Sequence, residues 1–221
     1  VATYYRDFAD GISDFTELVC TATHDAAFTV VNTNQVQGTA STTSANVGLF
    51  WDDINSDADR DDVEILGQIY VDSTSTSQRW LCVRVAGGDT SNKTGYALRM
   101  RTGSIDLYRF TSNTFTQLAT TTISVSSGTW CWVRFRVNGT STGATQKARY
   151  WVDGGSEDTG SWHVEATDST YSDAARVGLM KGANTNTQLW RCFGVGTNGD
   201  TAPSSAPVTK NVSHLLCLGA G

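Results

Sequence analysis

From Thr129 to Val137 every second side chain is apolar: Cys131, Val133, Phe135 and Val137. Those between are Trp130, Trp132, Arg134 and Arg136. Successive side chains of a strand point to opposite faces, so this segment predicts a strand with one buried face. The same split recurs along the chain. Leu81, Val83 and Val85 oppose Trp80, Cys82 and Arg84, and Tyr96, Leu98 and Met100 oppose Ala97, Arg99 and Arg101. Ala148, Tyr150 and Val152 oppose Lys147, Arg149 and Trp151. In the strand that opens at Asp62, the residues Val63, Ile65 and Ile69 oppose Asp62, Glu64, Gln68 and Tyr70.

Clusters of Gly, Asn, Asp and Ser separate these segments, as turns do. The pattern predicts strands near 4–8, 15–19, 27–32, 34–40, 47–52, 62–72, 79–86, 95–101, 104–110, 115–124, 129–138, 147–153, 175–180 and 187–196. Helical periodicity is absent. Gly155 to Asp173 is the longest irregular stretch and is expected to hold a short helical turn at most. Many short strands without helices predict an all-β fold, a two-sheet antiparallel sandwich of the jelly-roll kind. With no repeat and no linker, residues 1–203 read as one domain. Residues 204–221 differ in texture, with Pro207 and an apolar run from Val208 to Leu218, and predict a final strand or an arm that docks on a neighbour.

A chain of 221 residues can bury a full core without help from disulfides. Its charged fraction is only 17%, and Thr, Ser, Gly and Asn fill the gap, which suits solvent-facing strand positions and tight turns. The net charge of −6 removes the basic excess that a nucleic-acid binder needs. No apolar run approaches the roughly 20 residues that span a bilayer, so no membrane span is expected. The chain opens at Val1 rather than Met, as a processed N-terminus or a fragment does. Of the cysteines Cys20, Cys82, Cys131, Cys192 and Cys217, none forms a C-x-x-C pair, which argues against zinc. Their odd number leaves one thiol free or paired with another chain, with Cys217 the candidate. Alternatively all are small buried hydrophobes.

If the alternating strands share a sheet, one face packs on the core and the other shows Trp and Arg in rows. The candidate ligand residues are Glu64, Gln68, Arg84, Trp132, Arg134, Arg136, Arg149 and Trp151. Trp is costly to expose unless it packs or binds something. Guanidinium groups stack on indoles, and Arg forks hold hydroxyls or carboxylates. Such a face suits flat, hydroxylated or anionic ligands, glycans above all. The same residues can instead stabilise the sheet through cross-strand pairs, or lie under another layer or subunit.

Several segments resemble a known superfamily in order and spacing. Asp61 to Gly67 resembles its D-V-E-I strand. Gly128 to Gly139 (GTWCWVRFRVNG) and Lys147 to Gly154 (KARYWVDG) resemble the two strands that follow. Ala175 to Leu179 and Phe193 to Gly199 resemble its closing strands. Together they are similar to the concanavalin A-like lectin/glucanase jelly roll, including laminin G-like modules and modules of bacteriophage tails and virion surfaces. The resemblance covers roughly Tyr4 to Pro203. It implies two curved antiparallel sheets, with the ligand on the concave one, which would carry the Trp and Arg face.

Glycoside hydrolases of this fold use two carboxylates about 5–5.5 Å apart in retaining members. Their strand motif is matched in part by Asp62 and Glu64, but the third acidic position is Gly67. Lyases of similar fold use Arg, Gln, His and Tyr. Here Gln68-Ile69-Tyr70 lacks the His, and His24, His163 and His214 fall outside the central strands. Asp57, Asp59, Asp61 and Asp62 read as a solvated acidic turn rather than a calcium loop, lacking the Gly and distal Glu of an EF-hand. Sequons occur at Asn92, Asn138 and Asn211. The expectation is a non-catalytic structural or adhesion subunit of an extracellular or virion assembly, such as a phage tail, fibre or decoration protein. Its partners would be a glycan or other subunits, with a homo-oligomer expected and no cofactor or metal. A polysaccharide-degrading enzyme using Glu64 is the alternative.

Overall fold

The structure is a computed structural model and describes residues 3–19, 27–39, 46–51, 62–72, 78–87, 93–111, 114–139, 143–171, 176–182 and 186–205. The alternating segments are strands: β1 (Thr3–Arg6), β2 (Phe15–Val19), β3 (Ala27–Val31), β4 (Gln35–Thr39), β5 (Val47–Trp51), β6 (Val63–Val71), β7 (Arg79–Ala86) and β8 (Thr94–Arg101). They continue as β9 (Ser104–Thr111), β10 (Thr114–Thr122), β11 (Thr129–Asn138), β12 (Thr145–Val152), β13 (Val164–Thr167), β14 (Arg176–Lys181) and β15 (Gln188–Thr197). No helix occurs among the described residues. The stretch expected to hold a helical turn instead supplies β13. It is a short edge strand whose Val164 is buried and which pairs with β12 from Thr145 to Ala148.

Two antiparallel sheets form the sandwich. The first runs β13-β12-β11-β6-β15-β4-β3, with β1 pairing alongside the second half of β15. The second runs β10-β9-β8-β7-β14-β5-β2. Their inward faces meet in one core. Val63, Ile65 and Ile69 of β6 and Cys131, Val133, Phe135 and Val137 of β11 pack there with Leu81, Val83, Tyr96 and Leu98 of the second sheet. Fully burying each such side chain contributes about 1.5–3 kcal/mol, which fixes strand register wherever one face is wet. Burial pushes the Cys131 thiol up to about 12. Val152, read from the alternation as a core residue, is 45% exposed, because β12 ends there at a turn.

Two bulges interrupt the alternation. In β7, Arg84 has φ 51° and the pairing with β8 shifts register between Val83 and Ala86. In β15, Cys192 has φ 56° and the pairing with β6 shifts between Arg191 and Phe193. A bulge inserts one residue and re-aims those around it. It therefore lets Trp190 and Phe193, three residues apart, both reach the core.

The second sheet also buries part of its outer face. Phe50, Trp80, Cys82, Val85, Ala97, Tyr108, Phe110 and Met180 form a separate buried cluster. Trp80 of β7 and Phe115 of β10 meet with ring centroids 4.7 Å apart, although β8 and β9 lie between their strands. They close over β8, where Gly95 and Ala97 leave room; a Cβ at Gly95 would lie 3.0 Å from the Phe110 ring. Val85, assigned by alternation to the core, belongs to this outer cluster because the bulge at Arg84 reverses the facing.

Candidate functional site

On the first sheet, strand register lines up the outward side chains of β12, β11, β6 and β15. One row is Trp151, Trp132, Gln68 and Arg191. The next is Arg149, Arg134, Leu66 and Gly194, and the one after is Lys147, Arg136, Glu64 and Gly196. The first row carries two half-buried tryptophans beside the buried Gln68. The Trp132 and Trp151 rings stack with centroids 6.1 Å apart and planes 13° from parallel. Arg191 lies 4.4 Å over the Trp130 ring, which packs at 5.3 Å on Tyr70.

Asp153 is the hub of this strip. Its Oδ1 accepts from Trp132 Nε1 at 3.1 Å and from Gln68 Nε2 at 2.8 Å, and its Oδ2 pairs with Arg191 Nη2. Arg191 Nε donates to Gln68 Oε1 at 2.5 Å, which closes the network. Local sequence puts Asp153 there. Its backbone N donates to Trp130 O at 2.9 Å, and Gly154, at φ 84°, turns the chain away in a conformation that favours glycine.

The next two rows form an ion-pair ladder. Glu64 is buried; its Oε2 accepts from Arg136 Nε at 2.6 Å, and its Oε1 accepts from Arg134 Nη1 and from the Ala202 backbone N at 3.0 Å. Arg134 turns its other edge to Glu157 as a two-pronged fork, Nε to Oε1 at 2.6 Å and Nη2 to Oε2 at 2.9 Å. Arg149 Nε sits 2.6 Å from Glu157 Oε1, and its guanidinium lies 4.4 Å over Trp162. Burial pushes the Glu157 carboxyl up, but the hydrogen bonds and charge of Arg134 and the charge of Arg149 outweigh it and hold Glu157 below its ordinary value. The turn after β12 thus lies over Arg134 and Arg149. Residues 200–205 lie over the far side of the ladder. Arg134 Nη1 donates to Ala202 O at 3.2 Å, and a Cβ on Gly194 would fall 2.1 Å from the Pro203 carbonyl oxygen. Glycine at 194 and 196 is what lets the chain pass so close.

The structure brings Glu64, Gln68, Trp132, Arg134, Arg136, Arg149 and Trp151 to one face, as the alternation predicts. Arg84 does not join them. β7 belongs to the second sheet, and the bulge aims Arg84 at the sandwich end, where Nη1 donates to Tyr171 O at 2.9 Å and Nη2 donates to Gly139 O. Alternation reports which face of a strand a residue occupies, not which sheet the strand enters. Of the expected acids, Asp62 is a turn residue whose Oδ1 accepts from Gly139 N at 2.7 Å. His163 Nδ1 accepts from Tyr150 N at 3.3 Å, away from Glu64. Asp57, Asp59, Asp61, Cys20, Cys217, His24, His214, Asn92 and Asn211 lie outside the described residues. Among the described residues no group of His, Cys, Asp and Glu gathers in a metal-binding arrangement, and no helix is long and apolar enough to cross a membrane. Sequence reasoning missed Asp153, Glu157 and Arg191 as members of the face. The Trp151-Val152-Asp153-Gly154 turn was the available signal for Asp153.

No family model matches the sequence, and no curated protein is similar to it in sequence. Solved structures are similar in fold. The basic winged bean lectin with Tn-antigen superposes with a TM-score of 0.56 at 7% identity, covering 90% of this chain and 99% of that one. The carbohydrate-binding module CBM66 from Bacillus subtilis gives a TM-score of 0.54 at 13% identity, covering 81% and 93%. The metal-free carbohydrate recognition domain of Emp46p gives 0.53 at 10% identity, covering 86% and 90%. These likenesses run nearly the full length of both partners and agree with the strand order and the two-sheet core. The chain has the concanavalin A-like jelly-roll fold.

Proposed function

We propose that the chain is a non-catalytic glycan-binding module that takes sugar rings on the Trp132–Trp151 strip of the first sheet. It would serve as a structural or adhesion subunit of an extracellular or virion assembly, with glycan or neighbouring subunits as partners. The observation that carries this reading is the stacked, half-buried Trp132–Trp151 pair beside a polar hub of Asp153, Gln68 and Arg191. Sugar rings offer apolar C–H faces to stack on indoles and hydroxyls to hydrogen-bond to Asp153. The fold neighbours include a lectin and carbohydrate-binding domains, which supports the same reading.

The ligand class follows from charge. Arg134, Arg136, Arg149 and Arg191 each already hold a carboxylate of this chain. No fork on the strip is left open for a uronate, so the ligand is a neutral glycan. Glu64 has both oxygens engaged by two guanidiniums and a backbone N–H, which supports a structural part over an acid or base role. The reading is tested by affinity electrophoresis of the full chain through gels holding neutral or uronic polysaccharides. Retardation by at least one neutral polymer is expected, and retardation by uronic polymers alone would refute the ligand class. A second reading, a purely structural subunit, is favoured by the saturated ladder under residues 200–205 and predicts no retardation by any polymer.

A further inference from the structure

Strand β1 carries the outer face of the first sheet beyond β15. Tyr5 pairs in register with Gly194, which belongs to the second outward row, so Tyr5 faces the same side as Arg134 and Arg149. The side chains of Tyr5 and Cys192 are hydrogen-bonded. Burial is the largest influence on the Cys192 thiol and pushes it up, and the charges of Arg191, Asp7 and Asp153 all reach it. Arg191 and Asp153 belong to the Trp132–Trp151 strip. Asp7, the first residue after β1, therefore lies where that strip ends.

At this point the turn between β1 and β2 encloses a cavity of about 270 Å³, with Tyr5, Asp7, Asp10 and Ser13 in its lining. The turn is held from within. Phe8 is buried in the core at φ 64°, a conformation that a bulky residue keeps only where its surroundings impose it, and its ring lies 5.7 Å from that of Phe15. Arg6 Nε donates to Asp14 Oδ2 at 2.5 Å and ties the two ends of the turn. Gly11 N donates to Phe8 O at 3.1 Å, and Ala9 N donates to Asp7 Oδ1 at 3.0 Å. The solvent side of the cavity offers acceptors, the exposed carboxylates of Asp7 and Asp10 and the Ser13 hydroxyl. Carboxylates accept from sugar hydroxyls and repel a uronate. The volume falls just below the roughly 300–1,000 Å³ of pockets for drug-sized ligands, which suits a single sugar ring.

We propose that this cavity is a second subsite, in which Asp7 and Asp10 accept from the hydroxyls of a ring beyond Arg191, so that the ligand is a chain of several neutral sugars laid across the strands rather than a single sugar. The inference rests on the glycan-binding reading of the Trp132–Trp151 strip and extends it. Neighbouring strands lie about 4.8 Å apart, so the path from Trp151 on β12 across β11, β6 and β15 to β1 is about 19 Å, the length of about four rings of an extended glycan.

The test is calorimetric titration of the full chain with neutral disaccharides and pentasaccharides of β-1,4-glucan, β-1,4-xylan, β-1,4-mannan and β-1,3-glucan. For the glycan that binds, the pentasaccharide should bind more tightly than the disaccharide. Asp10→Ala, a change at an exposed position, should cost about tenfold on the pentasaccharide, the loss of a hydrogen bond to a charged group, and nothing on the disaccharide. In nitrogen-15 NMR of the unmodified chain, the Gly11 and Ser13 amides should shift with the pentasaccharide and stay in place with the disaccharide. Equal affinity for the two lengths, a pentasaccharide bound undiminished by Asp10→Ala, or Gly11 and Ser13 amides that the pentasaccharide leaves unmoved would each overturn the subsite and leave the strip as the glycan site. No binding at either length, with no retardation by any neutral polymer, would sink the glycan reading and the subsite together.

Discussion

Replacing Glu64 with Gln tests whether the ladder holds the first sheet and the chain that crosses it. Glu64 is 2% exposed and accepts from Arg134, from Arg136 at 2.6 Å and from the Ala202 N–H at 3.0 Å. Gln keeps the shape but exchanges one acceptor oxygen for an NH2 group, which then faces a guanidinium, donor against donor. Hydrogen bonds to charged groups are worth about 1.5–3 kcal/mol, and removing one member of a buried ion pair costs about 3–5 kcal/mol. Arg134 keeps its fork on Glu157, and the Arg136 side chain is 26% exposed, so the loss belongs at the low end, about 3 kcal/mol. For a chain of this length that is a fall in Tm of about 6–12 °C. Urea unfolding followed by tryptophan fluorescence, together with a thermal melt, measures it. A Tm within about 1 °C of the parent would refute the reasoning. It would mean that the carboxylate is free, and the hydrolase reading of Glu64 would return.

Further consequences can be checked on the same material. Gly194→Ala places a Cβ 2.1 Å from the Pro203 carbonyl oxygen, so residues 200–205 must lift; hydrogen exchange at Ala202 should speed up, and unchanged exchange would contradict the close crossing. For pH, the Glu157 value is depressed by Arg134 and Arg149 against the upward push of burial. Asp168 is depressed by Thr170, Tyr96 and Arg109 against the same push. Each contributes stability that is fully present above its ordinary value, 4.5 for Glu157 and 3.8 for Asp168, and is lost as pH falls through the folded value. Stability should therefore decline below about pH 4.5, and Glu157→Gln should flatten that acid limb; an equally steep limb in the variant would remove Glu157 from the account.

The sequence carried the faces of β6, β11 and β12 because each is a long strand between a packed core and water, where period two is enforced by burial. It could not carry the grouping of strands into sheets, since that depends on pairing between distant segments. Arg84 was misplaced for that reason. The bulges at Arg84 and Cys192 leave no trace in an alternation pattern, yet they move Val85 outward and aim Arg191 at Gln68 and Asp153. β13 went unseen because one buried residue, Val164, gives no period to read. The outer cluster around Trp80 was unreadable for a related reason. A strand buried on both faces loses the contrast between apolar and polar positions on which the reading depends.

Trp132 is the residue that a sugar ring on this strip must stack against. Isothermal titration of the full chain with a neutral oligosaccharide from a polymer that retards it should give binding that Trp132→Ala weakens about 30-fold, the loss of roughly 2 kcal/mol expected of a central aromatic anchor. The melting temperature and far-ultraviolet circular dichroism should stay those of the folded sandwich. Undiminished affinity in Trp132→Ala, with the fold intact, would contradict the placement of the glycan on this strip.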